Sequence, residues 1–310
     1  MAYKLGESMI PVKIKRILLV IFTIFFVSLL GMGNYFLHMT SETLANMNEE
    51  IEWEQSEKRA EPVRPKDGDP LSVLLMGVDD EEGRTDSLIL LTVNPSDESI
   101  NMVSVPRDTR VKIDGKDKKD KINHAYSYGG SEKTIRTVEN LLDIPVDYVL
   151  KVNMESFTDV VDALGGVEVK NDLDFTFRDT HYPEGTLELG GKEALGYARM
   201  RYDDPRGDFG RQARQQQVLE AVIRKGASIS SLTKIDDMFD IVEKNIKTNV
   251  RLKDAWDLQS NYKNTRHNIE QLQIEGKSKE IDDTYYYVPD KQKLRDTSEK
   301  LKEHLQPPEK

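Results

Sequence analysis

The sequence has no cysteine at any of its 310 positions, which excludes disulfide bridges and thiolate metal sites. Its five histidines are scattered and show no metal-ligand spacing such as H-x-x-x-H. It contains no P-loop, no dinucleotide-binding fingerprint and no G-x-S-x-G motif. Any metal is therefore expected to be a hard ion held by oxygen ligands. Acidic residues outnumber basic ones, 55 to 44, and the formal net charge of -11 argues against nucleic acid as a partner.

One long apolar run is present near the N-terminus. Lys13, Lys15 and Arg16 precede residues 17–37, which are almost entirely apolar. About twenty apolar residues are needed to cross a bilayer, and no A-x-A-like cleavage site follows the run. We therefore expect a cytoplasmic tail at 1–16 and a single uncleaved transmembrane anchor at 17–37, with the rest of the chain on the outer side of the cell membrane.

A polar, glutamate-rich stretch at 38–69 is expected to form an extracellular stalk. Beyond it, short leucine-rich and β-branched runs alternate with amphipathic segments, a pattern that predicts an α/β fold whose buried sheet carries helices on both sides. We predict strands at 71–78, 87–93, 100–105, 147–153 and 166–170, and helices at 131–142, 155–164 and 208–226. The main domain is expected at 70–226. Residues 227–310 are expected to be an extension packed on it, with helices at 228–256 and 296–305 and a strand at 284–290.

Fixed positive charge is concentrated in one stretch of this acidic chain. Five arginines and no lysine occur between Arg199 and Arg214, and arginine is the cation that grips a phosphate or carboxylate in two places. If residues 197–201 are extended, Arg199 and Arg201 project from one face. A helix with Asp208 as N-cap would place Arg211, Arg214 and Gln215 on one side, near free N–H groups. The pattern favours a bound oxyanion; the alternative is a solvated charged face.

Two aspartates mark the end of the first predicted hairpin. Asp79 follows one strand and Asp86 precedes the next, so neighbouring strands would bring both to one edge of the sheet. They are candidate ligands for Mg²⁺ beside a pyrophosphate, although turn-capping aspartates are also common. Arg84 and Arg107 could add phosphate contacts or form surface ion pairs.

Seven motifs in this order resemble the LytR-CpsA-Psr family of membrane-anchored extracellular transferases. The resemblance covers about residues 71–226 and depends on LLMGVD, GRTDSLILL, VSVPRDT, KINHAY, LGGVEV, GGKEALGYARMR and DFGRQARQQQV. It implies an αβα sandwich with a mixed central sheet and a hydrophobic pocket for a prenyl tail. It also implies transfer of an anionic glycopolymer, wall teichoic acid in the most similar members, from a polyprenyl-pyrophosphate carrier to peptidoglycan, assisted by Mg²⁺ or Mn²⁺.

The same resemblance assigns roles to individual positions. Asp79 and Asp86 match the family's metal positions, and these two residues with Arg107 and Arg199 match its catalytic set. The matching pyrophosphate-binding positions are Arg84, Arg107, Arg199, Arg201, Arg211 and Gln215. One departure is that acidic residues at 80–82 follow Asp79 where many members have an arginine. Two other functions use the same residues: hydrolysis of the polyprenyl pyrophosphate, and lipid binding by a regulator without catalysis.

Overall fold

The structure, a computed structural model, describes residues 51, 53–79, 82–226 and 246–307. A six-stranded sheet has the order β11-β6-β1-β2-β3-β12. Strand β1 pairs parallel to β6 and antiparallel to β2, while β3 pairs antiparallel to β2 and parallel to β12. The predicted α/β class and mixed central sheet are therefore confirmed. The bounds of the sheet strands are Leu71–Asp79 (β1), Arg84–Asn94 (β2), Ser99–Ser104 (β3), Tyr148–Val152 (β6), Ile246–Thr248 (β11) and Asn268–Gln273 (β12).

Apolar side chains on both faces of β2 explain why this strand lies inside the sheet. Leu88 and Leu90 point into one core, and Ile89 and Leu91 into another, because successive side chains of a strand face opposite sides. Helices cover both cores, as the alternating sequence pattern predicts. The six helices of the described residues are His124–Leu142 (α1), Met154–Ala163 (α2), Gly191–Arg199 (α3), Asp208–Gly226 (α4), Leu252–Asn261 (α5) and Lys291–His304 (α6).

A third core lies beside the main sheet. It joins α2, α3 and α4 to small hairpins and contains the stacked rings of Phe175 and Tyr182, whose centroids are 4.8 Å apart. The strands of these and the remaining hairpins are Arg110–Lys112 (β4), Lys119–Lys121 (β5), Val167–Asn171 (β7), Phe175–Phe177 (β8), Thr180–Tyr182 (β9), Gly185–Leu189 (β10), Gly276–Ile281 (β13) and Thr284–Pro289 (β14).

The expectation that residues 197–201 could be extended is wrong for the first three of them. Residues 197–199 end α3, where Ala194, Tyr197 and Ala198 form a buried stripe at helical spacing. Glu193 stabilises the start of this helix, because its Oε2 accepts from Gly190 N at 2.9 Å, the half of a capping box that a glycine N-cap allows. Helical packing against α2 and α4 therefore overrides the strand-like spacing of the two arginines.

The C-terminal residues also differ from expectation. Of the helix predicted at 228–256, residues 228–245 lie outside the described residues, 246–248 form β11, and α5 begins only at Leu252. Strands β11 and β12 are the two edges of the central sheet. Helix α6 begins earlier than predicted because Asp290 caps it, accepting from Gln292 N at 2.8 Å.

The predicted anchor at 17–37 lies outside the described residues. Within those residues, no helix combines the length and apolar character required to cross a membrane.

Candidate anion-binding site

A cavity of about 340 Å³ lies at the end of β1 and β6, between the sheet and helices α2, α3 and α4. Its size falls within the range of small-molecule pockets. Most of its lining is apolar and comes from seven elements of the fold: Leu75, Val78, Ile89, Val152, Phe157, Phe177, Leu195, Ala198 and Leu219. Such a lining favours a hydrocarbon guest over water.

Charged and polar side chains line the same cavity. They include Asp86, Arg199, Arg211 and Gln215, four of the residues that the sequence singled out. The cavity is therefore amphipathic: an apolar chamber that also presents two guanidinium groups and a carboxylate.

Asp86 enters the site through an irregularity in the β1–β2 pairing. Gly77 is opposite Ser87, and Val78 is opposite Thr85, so Asp86 is the extra residue of a bulge. Bulges of this kind re-aim a side chain next to a functional site. Gly77 allows β1 and β2 to approach closely next to this bulge, since a Cβ there would lie 3.2 Å from Ser87 Cβ.

Arg107 holds the Asp86 carboxylate in place. Its Nη1 donates to Asp86 Oδ1 at 2.7 Å. Burial disfavours the charged guanidinium, but this hydrogen bond and the charge of Asp86 outweigh it and raise the pKa of Arg107. Asp86 Oδ2 accepts no hydrogen bond from the described residues, so one carboxylate oxygen can still take a metal ion or a proton.

Arg211 is the most unusual charge in the site. Its side chain is only 10% exposed and its Nη2 lies 2.7 Å from Asp208 Oδ1, yet its buried Nε has no hydrogen-bond acceptor among the described residues. Burial lowers the pKa of Arg211, and the charges of Arg107 and Arg201 lower it further against the attraction of Asp208 and Asp86. A buried guanidinium beside like charges is costly, and the negative charge of an anion in the cavity would offset part of that cost.

Helical spacing places Gln215 beside Arg211. The two residues are four apart on α4 and therefore share one face, and both line the cavity. Ser87 Oγ donates to Gln215 Oε1 at 3.2 Å, which ties the helix to β2. No described residue accepts from the Gln215 amide nitrogen, which can therefore face a ligand oxygen.

Arg199 and Arg201 approach the site from the end of α3. Arg199 lines the cavity and forms no ion pair with an acidic residue in the described part of the chain. Arg201 lies outside the lining, with its Nε 3.9 Å from Asp208 Oδ1. Asp208 thus stands between two arginines, and the structure brings Arg107, Arg199, Arg201 and Arg211 to one region, as the sequence predicted.

Arg214 does not belong to this group, contrary to the expected shared helix face. It is fully buried, and its donors reach Tyr197 O at 3.0 Å, Met200 O at 2.6 Å and Asp204 Oδ2 at 2.5 Å. Although burial alone would raise it, the hydrogen bonds from Arg206 and Arg214 lower the pKa of Asp204 to about 2. Although Arg214 is only three residues from Arg211 on α4, it does not line the cavity. Its contacts fix the segment that carries Arg199 and Arg201 instead.

Asp79 and Arg84 lie further along the hairpin. They are opposite one another, just beyond Val78, and do not line the cavity. Asp79 Oδ1 accepts from Glu82 N at 3.1 Å, which is the turn-capping geometry considered above. The Arg84 side chain is 48% exposed and lies 4.0 Å from Glu82 Oε2.

The donor set can hold a hard cation only with help from a substrate. No group of three or more histidine or acidic side chains in the described residues could hold a metal ion alone. Mg²⁺, however, commonly binds one or two carboxylates and completes its shell with water and substrate phosphates. Asp86, with an unbonded carboxylate oxygen, and Asp79 at the same sheet edge fit that pattern.

Sequence reasoning missed several lining residues. Tyr202 borders the cavity and is 91% exposed, Asn153 follows β6, and Phe157 and Phe177 supply aromatic walls. Tyr202 and Asn153 had a detectable signal, since one adjoins the arginine cluster and the other follows a predicted strand end. The two phenylalanines come from elements whose meeting at the cavity is a tertiary event.

Known proteins are similar to this chain in both sequence and architecture. The model of the LytR_cpsA_psr family matches residues 34–303. The chain is 49% identical over 300 residues to a Bacillus subtilis (strain 168) protein named polyisoprenyl-teichoic acid--peptidoglycan teichoic acid transferase TagU, covering 95% of this chain and 97% of the relative.

Solved structures agree with the sequence comparison. The crystal structure of B. subtilis TagU superimposes with a TM-score of 0.64 at 51% identity, covering 77% of this chain and 98% of that one. A structure titled TagT bound to LIIa-WTA gives a TM-score of 0.73 at 37% identity, covering 83% and 98%. The chain therefore belongs to the LytR-CpsA-Psr family.

Proposed function

We propose that this protein transfers an anionic glycopolymer, wall teichoic acid, from a polyprenyl-pyrophosphate carrier to peptidoglycan. The observation that carries the proposal is Arg211: a buried guanidinium with an unsatisfied Nε, lining an apolar cavity. A diphosphate on a hydrocarbon tail matches both halves of that cavity. The relatives named as teichoic acid transferases, and the TagT complex with LIIa-WTA, support the same donor.

The arginines act on the charge of the leaving group. A glycan hydroxyl attacks the phosphorus on the polymer side, a new P–O bond forms, and the bond to the bridging oxygen breaks to release polyprenyl phosphate. Arg199 and Arg211 line the cavity where this phosphate would lie, and Arg107 and Arg201 add positive charge nearby. Fixed positive groups of this kind stabilise the transition state because they need no reorganisation during the reaction.

The carboxylates would bind Mg²⁺ and the displaced proton. Asp86, together with Asp79, would hold the ion, which when bound neutralises charge on the diphosphate. A loose phosphoryl-transfer transition state requires little help from a base. The carboxylate that does not hold the ion, Asp79 or Asp86, would accept the hydroxyl proton.

Membrane attachment would bring enzyme and donor together. We propose that residues 17–37 anchor the protein with its N-terminus in the cytoplasm and its folded domain outside the cell. The carrier's prenyl tail resides in the same membrane, so diffusion in two dimensions replaces a search in solution.

The test is a product assay with the full chain in detergent, a lipid-linked polymer donor, peptidoglycan fragments and Mg²⁺. We expect a covalent polymer–glycan product from the wild type and a loss of roughly 100-fold or more in Arg199→Ala and Arg211→Ala. Arg224→Ala is a matched control, since Arg224 lies on the same helix as Arg211 but pairs with Glu220 at the surface. Full transfer by both cavity variants would contradict the proposal.

The same assay separates the alternatives. Release of polymer phosphate without a glycan adduct would indicate a phosphohydrolase. Donor binding without turnover in Mg²⁺ or Mn²⁺ would indicate a lipid-binding regulator.

A further inference from the structure

A second charged feature of the molecule lies outside the cavity. The start of α1 and β14 carry three tyrosines, and β4, β5 and the turn between them supply a cation over each ring. We name this the tyrosine–cation surface and define it by Arg110, Lys116, Lys121, Tyr128, Tyr285 and Tyr286. The distances to the ring centroids are 3.5 Å for Lys116 over Tyr128, 5.6 Å for Arg110 over Tyr286 and 5.8 Å for Lys121 over Tyr285.

These rings are accessible, unlike most aromatic residues of the fold. Tyr128 is 43% exposed and Tyr285 is 45% exposed, which places them among four exposed large apolar residues in the described part of the chain. A ring face orients a cation without cancelling its charge. The surface therefore displays positive charge in fixed positions.

Few carboxylates neutralise this charge. Lys121 pairs with Asp108 at 2.8 Å, but Arg110 and Lys116 form no ion pair with an acidic group among the described residues. Asp120, the acid nearest Tyr128, accepts from the Tyr128 hydroxyl at 2.8 Å and contacts His124 Nδ1 at 3.0 Å.

The neighbouring lysines reinforce the excess. The segment 110–121 has six basic and three acidic residues, so its formal charge is about +3 in a chain of net charge -11. Lys118 and Lys119 on the turn and first residue of β5 are exposed and form no ion pair within the described ranges.

The surface continues directly from the candidate site. Arg107 precedes Arg110 by three residues, at most about 11 Å along an extended chain, and Arg107 O accepts from Asn123 N at 3.2 Å. On the other side, Ser127 Oγ donates to Gly83 O in the β1–β2 turn at 2.7 Å. A molecule whose diphosphate lies by Arg107 and Arg211 can therefore extend over these tyrosines.

We propose that the tyrosine–cation surface binds the polyanionic chain of the donor, a repeating phosphodiester polymer, and so selects long donors over short ones. This inference depends on the proposed function for its donor. A neutral sugar would leave these cations without partners, whereas repeated phosphates match the several cations that residues 110–121 carry. The apolar cavity recognises one end of the donor, and this surface recognises the other.

The test measures equilibrium binding of lipid-free poly(glycerol phosphate) to the full chain in detergent at several salt concentrations. The variant is Lys116→Gln/Lys118→Gln/Lys119→Gln, which changes only exposed side chains. We expect wild-type binding that weakens steeply with salt and about tenfold weaker binding in the variant, since each exposed charge contributes modestly. In transfer assays, KM should rise for a long-chain donor and stay unchanged for a donor with a single repeat.

The matched control removes three exposed lysines around α5: Lys66→Gln/Lys253→Gln/Lys263→Gln. We expect it to bind like the wild type. An equal loss in both variants, or no polymer binding by the wild type, would overturn the inference, as would lysine-dependent binding of peptidoglycan fragments in place of the polymer. Because binding is measured without turnover, failure here is distinguishable from failure of the transferase proposal.

Discussion

Two arginines on one helix, Arg211 and Arg214, differ in whether their hydrogen-bond donors have acceptors. Both are buried, and they stand three residues apart on α4. Arg214 has an acceptor for the Nε and for each terminal nitrogen, whereas the Nε of Arg211 has none in the described part of the chain. The difference teaches that burial alone does not assign a role to a charge. The satisfied arginine, Arg214, holds the fold, and we propose that the unsatisfied one, Arg211, binds a ligand.

The largest expected loss of stability comes from removing Arg214, the arginine whose donors all have acceptors. Arg214→Ala would leave the Asp204 carboxylate, 0% exposed, with Arg206 as its remaining arginine partner, and would leave Tyr197 O and Met200 O without their donor. An uncompensated buried charge costs about 3–5 kcal/mol, and because Arg206 stays we expect the lower end, about 3 kcal/mol. Chemical denaturation should show a loss of that size in the free energy of unfolding, and a stability equal to the wild type would contradict the structural role.

A smaller loss of stability is expected from a side chain that crowds the ion pair of Asp204 and Arg214. A Cβ at Gly210 would lie 1.9 Å from Asp204 Oδ2, and Arg206 and Arg214 prevent that carboxylate from moving away. Gly210→Ala should therefore cost about 1–3 kcal/mol, measured by the same denaturation. Gly207→Ala is not a suitable control because Gly207 has a φ of 59°; Gly226→Ala, with its nearest neighbour at 4.0 Å, is.

Removing Arg211, whose Nε has no acceptor among the described residues, should affect transfer and leave stability almost unchanged. Arg211→Ala removes a charge whose burial is only partly compensated, and Asp208 keeps Arg201 as a neighbour. We expect the free energy of unfolding to change by less than about 1 kcal/mol while transfer is lost. A destabilisation as large as that of Arg214→Ala would remove the contrast between the two residues.

His304, at the end of α6, is another buried group whose polar atoms have partners, and its expected effect on stability is the smallest. Its ring nitrogens lie 2.8 Å from Thr92 Oγ1 and 2.8 Å from Ser99 Oγ. Burial lowers its pKa below 6.5, with Asp97 and Glu270 opposing and Lys300 assisting. The unfolded chain therefore binds the proton first, so stability should fall as pH drops below about 6.5, by at most about 1.4 kcal/mol per pH unit from this residue. The dependence should flatten in His304→Asn near pH 6.

The sequence predicted the inner strands because their apolar runs carry enough local information. Strands β1, β2, β3 and β6 occur within a few residues of expectation. Edge strand β12 was not predicted, since NIEQLQ is largely polar and pairs with a strand more than 160 residues away. Helix α3 differs from the extended structure that the spacing of Arg199 and Arg201 allows. The apolar stripe of Ala194, Tyr197 and Ala198 at helical spacing is the better signal.

The candidate site shows a similar division. The residue types were predictable, because arginine clusters and paired aspartates carry their chemistry in any fold. Their sorting was not: Arg214 was separated from Arg211 by a contact with Asp204, and Asp86 from Asp79 by a bulge. Both outcomes depend on tertiary contacts that spacing along the chain does not encode.

The central claim is that the buried guanidinium of Arg211 holds a diphosphate inside an apolar cavity. The direct measurement is calorimetric titration of a short-chain prenyl pyrophosphate into the full chain with Mg²⁺, for the wild type, Arg211→Ala and Arg224→Ala. A lost hydrogen bond to a charged group predicts binding about tenfold to a hundredfold weaker in Arg211→Ala and unchanged binding in Arg224→Ala. Equal affinities for all three proteins would contradict the account.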